Sequence, residues 1–326
     1  MDRMDIVITY VDFTCPQWRQ AYDTAFQTIY DPVVNTCDSA TRTRFVNHGE
    51  IRFVLRSIDK YVPNVRTVYL VVDDMLEVPS WLQNVTIVRH KDLFQEFADS
   101  CLPTFNSQAI ETVLHRIPGI SDPFLYFNDD MFVGKPVSSS DLMRGGSVSV
   151  ILSNHKSRRG VPNRGEIGFR CAWKNVNRLL DETVVVEPRY KLEHAPYVVS
   201  PAIMEELWSE FYLDMERTIR SRFRSIHDIN VSPALHPYFA LYTGRGFVQT
   251  QLQVQTVYLD LSRKRETRNK LRIMKTSAPH FFCLEDEDGG TESDGSMRQF
   301  LEELFSEQCR YESEDLAEQQ PESPSD

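Results

Sequence analysis

No run of about 18 apolar residues occurs in the 326-residue chain, so no segment is built to cross a bilayer as a helix. The first residues, Met1 to Asp5, enter a strand-like run without the apolar core of a signal peptide. Together these absences lead to the expectation of a cytoplasmic protein, at most peripheral to a membrane. A chain trimmed from a secretory-lumen protein would look the same, and the sequons at Asn84 and Asn230 matter only there. The six cysteines show no CxxC or Cys/His spacing, which argues against a zinc site and neither requires nor excludes disulfides. No GxGxxG or GxxxxGK[ST] appears, so ordinary dinucleotide and P-loop sites are not supported. Arginine-rich runs at 217–224 and 262–272 lack any zinc finger, RNA-recognition motif or interleaved aromatic platform, so no nucleic-acid partner is expected.

Positive charge is scarce only at one end. The net charge is -11, but residues 285–326 hold 15 acidic and 2 basic side chains, leaving 34 basic and 32 acidic in the body. An acidic tail is thus attached to a near-neutral body, and the total says little about what the body binds. Residues 1–286 are expected to form one α/β domain, with the half 141–286 completing a cleft begun by 1–140. Residues 287–326 are expected to carry one amphipathic helix, with Phe300, Leu301, Leu304 and Phe305 on its apolar face, and then a disordered end.

What is present is an alternation of apolar strands and helices. Asp5 to Asp12, Arg66 to Asp74 and Asn84 to His90 read as strands. The stripe Ile51, Val54, Leu55, Ile58 marks a helix ending at Pro63, and Ile110, Val113, Leu114, Ile117 predicts another over 106–117. On the first of these helices Arg52, Arg56 and Lys60 line another face, either solvated or walling a phosphate site. This order predicts a mainly parallel, Rossmann-like sheet with helices on both faces and a cleft completed by the C-terminal half. Between two apolar flanks lies Asn128-Asp129-Asp130, preceded by the strand-like Phe124 to Phe127. Adjacent carboxylates there are costly unless a cation or donors offset them, and open α/β sheets place ligands at such strand ends. Strands ending at Asp12, Asp73/Asp74 and Asp129/Asp130 would line one sheet edge with acids.

Several side chains suit a phosphorylated donor. Tyr10 and Asp12 are candidates to stack on a base and hold a ribose hydroxyl, or to serve only as core tyrosine and turn acid. Asn106 or Ser107 is placed to cap a helix whose free N–H groups suit phosphate. Asp129 and Asp130 are the metal or general-base candidates. His194, before a proline turn, is a candidate base, and Arg222 and Arg224 offer a phosphate fork or salt bridges. The basic loop 155–170 is either merely mobile or closes over an anionic substrate. The apolar run 280–284 ends in Glu285 and Asp286, which either add a metal ligand or begin the tail.

At these residues the chain resembles the Stealth family, which includes bacterial capsular-polysaccharide sugar-1-phosphate transferases and the catalytic subunit of N-acetylglucosamine-1-phosphotransferase. The likeness runs through Asp5 to Asp12, through 44–134 with Gly49-Glu-Ile-Arg, Pro79-Ser-Trp-Leu, Leu102-Pro-Thr-Phe-Asn-Ser and Tyr126-Phe-Asn-Asp-Asp, then His194-Ala-Pro and Arg222-Phe-Arg-Ser, and finally Phe282 to Asp286. Phe13-Thr-Cys-Pro16 departs from the usual turn after the first block, and Glu285 replaces the usual Asn of the fourth. The resemblance implies transfer of an N-acetylhexosamine-1-phosphate from a UDP-sugar such as UDP-GlcNAc to a glycan or polysaccharide hydroxyl, releasing UMP, as in capsule polysaccharide biosynthesis. It implies Asp130 or His194 as base, Arg224 on the diphosphate, and Asp129 with Glu285 or Asp286 near Mg²⁺ or Mn²⁺. Tyr10, Asp12, Arg52, Asn106, Ser107, Asn128 and Arg222 would shape the donor pocket. The resemblance further implies that 1–286 is a single catalytic domain with a glycosyltransferase-A-like sheet, 1–140 being its nucleotide-sugar-binding half. The alternatives are a metal-dependent glycosyltransferase releasing UDP and an inactive sugar-nucleotide-binding scaffold.

Overall fold

The computed structural model describes residues 3–45, 49–249, 253–260, 263–285 and 296–313. Four parallel strands make its centre: β1 (Met4–Tyr10), β2 (Val65–Val72), β3 (Thr86–Arg89) and β4 (Phe124–Asn128), ordered β3-β2-β1-β4. In β1 the residues Met4 to Ile8 are all buried, and in β4 Phe124 to Phe127 are fully buried. Successive side chains point to opposite faces, so burial of every residue means that both faces are covered, as a parallel sheet requires. Helix α1 (Pro16–Thr28) and helix α2 (Glu50–Tyr61) fill the β1–β2 connection, and Ile51, Val54, Leu55 and Ile58 of α2 are all in the core.

The chain leaves the central sheet through the two-residue turn Asp129–Asp130 and begins β5 (Met131–Val133). A second sheet follows, with β6 (Met143–Arg144), β7 (Ser147–Lys156) and β8 (Tyr190–Leu192), both outer strands antiparallel to β7. The chain then returns to the centre as β9 (Tyr197–Val199), antiparallel to β4 with Tyr197 opposite Tyr126. Strand β10 (Gly246–Gln249) runs parallel to β7, while β11 (Thr256–Asp260) and β12 (Phe281–Glu285) join β5 in a third sheet.

The order β3-β2-β1-β4 reverses direction at β1. Its neighbours lie on opposite sides, so the crevice outside the carboxyl ends of β1 and β4 is the switch point where such sheets take ligands. Both strands finish there, at Tyr10 and Asn128.

One element differs from the sequence expectation. The helix expected over 106–117 is only Ser107–Glu111, followed by a 3-10 turn at Leu114–Arg116. The Trp208 indole N–H bonds the Thr112 carbonyl at 2.7 Å, and the Thr112 hydroxyl turns back to Ala109, so the helical ladder loses its continuation there. The helix Ser296–Leu304 is packed into the body, with Phe305 stacked against Phe132 and Phe282. Residues 286–295 and 314–326 of the expected tail, Asp286 among them, lie outside the described residues. Among the described residues no helix is long and apolar enough to cross a membrane. The Asn230 sequon is buried, its amide bonded to the Phe169 carbonyl.

Candidate active site

The acid turn sits at the corner where three elements meet. Strand β12 runs antiparallel to β5, setting Cys283 opposite Met131, and the Leu284 amide donates to the Asp130 carbonyl at 3.2 Å. From the other side, the register of β9 on β4 carries the preceding loop, with His194, toward the same corner. The His194 Nε2 lies 3.8 Å from Asp130 Oδ2, and the Cys283 thiol donates to that same oxygen at 3.1 Å. Tyr197 and Tyr258 hold the imidazole. The first places its hydroxyl 3.4 Å from Nδ1, and the second packs edge-on at 6.0 Å between ring centroids.

The electrostatics follow from this enclosure. Burial, then the neighbouring carboxylates of Asp130 and Glu50, push the Asp129 carboxyl well above its ordinary range, and the Val11 amide donates to it across a long 3.4 Å. For His194, burial works against the charged ring, but the Asp130 carboxylate outweighs it and raises the imidazole above its usual range. Burial pushes the Cys283 thiol well up, reinforced by Asp130. The other oxygen of Asp130, Oδ1, is buried without a hydrogen-bond partner.

Beside this corner lies a basic group. Arg224 donates to Asp38 at 2.9 Å and to the Ser107 hydroxyl at 3.1 Å, while its buried Nε has no acceptor. Asp38 also accepts from the Thr36 hydroxyl at 2.7 Å and the Gly168 amide at 2.7 Å. Burial opposes its charge, yet Arg224, Arg44 and these donors hold its carboxyl below the usual range. A second guanidinium, Arg44, is present in the same charge group. Burial, then Arg224, lower it to about 9, while Asp38 and Glu285 support its charge. Its Nη1 is buried without a partner, which is costly for a charged donor.

Other sequence candidates are held by partners of their own. Asn106 does cap its short helix, but its amide is used on the Ser221 carbonyl and on Asp228 at 2.8 Å, and the residue is fully buried. Arg222 bonds the Leu102 carbonyl, so it does not form a fork with Arg224; the buried Phe223 between them sits in a turn rather than an extended segment. Arg52 lies over the Trp81 ring and 3.5 Å from Glu312, so the stripe on α2 faces the C-terminal segment. Asp12 is turned onto Thr14 and accepts both its amide and its hydroxyl, at 2.8 and 2.6 Å, and the Tyr10 hydroxyl donates to it at 3.4 Å. Asn128 ends β4, with its backbone amide 3.5 Å from the Met131 sulfur.

Glu285 accepts from the Tyr258 hydroxyl on the neighbouring strand. The group with metal-ligand spacing among the described residues is Asp130, His194 and Cys283, whose donor atoms lie within 4.8 Å of one another; Asp129 and Glu285 are not part of it.

Two residues were not singled out from sequence. Arg44 had only the signal of an arginine next to an aromatic before the Gly49-Glu-Ile-Arg motif. Glu111 is a buried carboxyl at the end of the short helix Ser107–Glu111; it accepts from the Ser232 amide at 3.2 Å, and burial raises it to about 7 against the pull of Ser232, Arg224 and His194.

This corner, with its acids, imidazole and paired arginines, falls inside two spans that match a known family. Stealth protein CR2, conserved region 2, matches residues 44–150, and Stealth protein CR3, conserved region 3, matches residues 193–241. The chain belongs to the Stealth family. Asn128, Asp129, Asp130, His194 and Arg224, together with Arg44 and Glu111, lie within those Stealth regions. Among Stealth relatives, the exopolysaccharide phosphotransferase SCO2594 of Streptomyces coelicolor is 34% identical over 95% of this chain and 51% of its own length. SCO6023 of the same organism, also named an exopolysaccharide phosphotransferase, is 36% identical over 90% of this chain and 48% of its own. The exopolysaccharide phosphotransferase CpsY of Mycobacterium tuberculosis is 35% identical over 87% and 52%. The chain therefore spans about half the length of these relatives. Among solved structures, the glycosyltransferase GlyE of Streptococcus pneumoniae aligns with a TM-score of 0.40 at 9% identity, covering 97% of this chain and 66% of GlyE. Mouse xyloside xylosyltransferase 1 aligns at 0.41 and 8%, covering 89% and 100%.

Proposed function

We propose that the chain transfers a sugar-1-phosphate, in particular N-acetylhexosamine-1-phosphate, from a UDP-sugar to a hydroxyl of a glycan or polysaccharide. The names of its relatives support phosphotransfer to an exopolysaccharide. The observation that carries the reading is the Asp130–His194 pair, 3.8 Å apart at the switch point of the sheet, in the same charge neighbourhood as Arg44 and Arg224. A base and a diphosphate cradle are what such a reaction asks of a protein.

In the reaction the acceptor oxygen bonds to the β-phosphorus and the bond from that phosphorus to the bridging oxygen breaks. The sugar phosphate ends in a phosphodiester, and UMP leaves with the bridging oxygen. The acceptor proton passes to the Asp130–His194 pair. Arg224 and Arg44 hold the diphosphate, each through a buried N–H that lacks an acceptor within the protein. Asp38 and Ser107 orient Arg224.

The unpartnered Asp130 Oδ1 and the raised Asp129 carboxyl fit a divalent cation, Mg²⁺ or Mn²⁺, held by these two residues. When bound, it would neutralise charge on the diphosphate and the leaving UMP.

The test is product analysis with UDP-N-acetylhexosamines, Mg²⁺ or Mn²⁺ and oligosaccharide acceptors. UMP with a new phosphodiester is expected; UDP with a glycoside would make the chain a glycosyltransferase and overturn the reading. Turnover of no donor would identify a binding scaffold.

A further inference from the structure

The segment from the end of β7 to β8, residues 155–191 with the helix Gly168–Thr183 inside it, is rich in basic residues, and they divide into two kinds. Arg159 is ion-paired with Asp181, Arg189 binds the same acid at 2.7 Å, and Lys174 binds Glu166 at 2.6 Å. Those cations brace the fold. Among the described residues Arg158, Arg170 and Lys191 have no such partner. They are nevertheless neighbours: Lys156 pairs with Tyr190 and the Ser157 amide donates to the Arg189 carbonyl at 2.8 Å, which sets Arg158 beside Lys191, and Arg158 and Arg170 are both exposed. Lys191 is partly buried with its ammonium 5.8 Å from the Phe169 ring centroid, and burial, then Arg170 and Arg158, lower its pKa. Glu166, the acid whose charge Arg158 feels, is already bonded to Lys174 and Asn163.

Three like charges grouped without a counter-ion oppose one another, the more so where one is partly desolvated. The body as a whole is close to neutral, so the grouping is local rather than a consequence of composition.

The group is joined to the reaction centre. Arg170 lies two residues beyond Gly168, whose amide binds Asp38, the carboxylate that holds Arg224. A Cβ on Gly168 would stand 2.7 Å from Arg224 Cδ, so this helix start is pressed against the arginine that orients the donor.

We propose that Arg158, Arg170 and Lys191 form an acceptor surface for a polyanionic glycan, a chain already carrying phosphodiesters. The inference rests on the transfer reaction above, because its product gains one negative charge at each phosphodiester. A chain that has been extended once then binds this surface better than a neutral one. The surface thereby favours repeated addition to the same acceptor.

The experiment compares synthetic oligosaccharides of one sugar, joined either by phosphodiesters or by neutral glycosidic bonds. It uses the wild type and the variants Arg158→Glu, Arg170→Glu and Lys191→Glu, with Arg158→Gln as a milder change. Each reversal is expected to raise KM for the phosphodiester-linked acceptor about fivefold, the size of one exposed charge contact, while KM for the neutral acceptor stays put. Donor KM and acceptor-independent UMP release should not move, and added salt should weaken only the anionic acceptor. Equal KM values for both acceptors, or variants without effect, overturn the proposal. So does loss of binding to phosphatidylglycerol-containing vesicles with acceptor KM unchanged, which would make the patch a membrane surface. If no UMP forms from any donor, the transfer reading fails by itself. Fluorescence anisotropy with a labelled phosphodiester oligosaccharide then decides the surface: weaker binding to the reversals supports it, and identical binding overturns it. A circular-dichroism melt of each variant separates misfolding from lost charge.

Discussion

Asp130 and Glu111 are both enclosed carboxyls, but they sit in different company. Asp130 shares an oxygen between His194 and the Cys283 thiol, so Asp130→Asn and His194→Ala each remove one half of the proposed base. Each is expected to lower kcat by roughly 10²–10⁴-fold, the span of a positioned acid–base group, with little change in donor binding for His194→Ala. Steady-state kinetics together with donor titration read this directly; kcat within a few-fold of wild type would remove the pair from the chemistry. Glu111 offers a different test, through stability. Its carboxyl is raised to about 7 mainly by burial, so the folded chain favours the protonated acid. A carboxyl raised in this way contributes stability that is complete below its unfolded pKa, near 4.5, and is lost as pH climbs through about 7. Glu111→Gln keeps an acceptor for the Ser232 amide and does not titrate. Its stability relative to wild type should therefore improve by roughly 3 kcal/mol between pH 4.5 and 8 in urea unfolding. A constant difference across that range would mean that Glu111 does not ionise as its burial requires. The sequence made Asp130 legible because two acids interrupt an apolar run. Glu111 and Arg44 gave no comparable signal, since a lone charge near an apolar stripe is usually solvated and only packing reveals otherwise.

At the scale of elements, strand ends were easier to read than loops. The apolar runs of β1, β2 and β4 end at Tyr10, Val72 and Asn128, and parallel pairing puts those ends on one edge, as their alternation with helices implied. Residues whose orientation depends on an irregular segment were not legible. Arg222 and Arg224 are two apart, which in an extended strand would give a common side, yet the turn sends them to Leu102 and Asp38. The stretch 106–117 has a full apolar stripe, but the Trp208 indole takes a carbonyl that a longer helix would have used. The same sensitivity to element placement makes Gly168 a useful probe. Gly168→Ala would bring a methyl carbon within 2.7 Å of Arg224 Cδ and 3.0 Å of its Cβ, with the Thr36 hydroxyl oxygen at 3.2 Å. Arg224 must then shift while its charge is retained. An increase of about tenfold in donor KM with an unchanged melting temperature is expected, within the cost of an ångström-scale misplacement. If donor KM holds while stability falls, Gly168 serves packing alone.

Over the whole molecule, the acidic C-terminal sequence is the feature that composition describes least well. It is expected as an acidic tail with one amphipathic helix, and that helix packs into the body: Met297, Phe300, Leu301 and Phe305 are buried, and Glu312 crosses back to α2. Glu312 accepts from Arg56 Nε at 2.6 Å and Nη2 at 2.7 Å, with only 11% and 3% of the two side chains exposed. Arg56 also donates to the Phe305 carbonyl at 2.9 Å, so one arginine ties both the end of the helix region and the turn after it. The stripe Arg52, Arg56, Lys60 was legible as a periodic face; its partner was not, because some 250 residues separate the two in the chain. Breaking a buried bidentate pair from one side leaves an uncompensated charge, so Glu312→Ala should destabilise the fold by about 3 kcal/mol or more. Replacing both partners with apolar residues, Arg56→Met with Glu312→Leu, removes that stranded charge and should recover most of the loss. Urea unfolding of the two single variants and the double variant makes the comparison. If the C-terminal sequence were a solvated tail, Glu312→Ala would fall within the ±0.5 kcal/mol typical of surface substitutions, and the double variant would show no recovery. A large single-variant loss with recovery in the double variant instead makes residues 296–313 an integral part of the body, fastened behind the strand that brings Cys283 to Asp130.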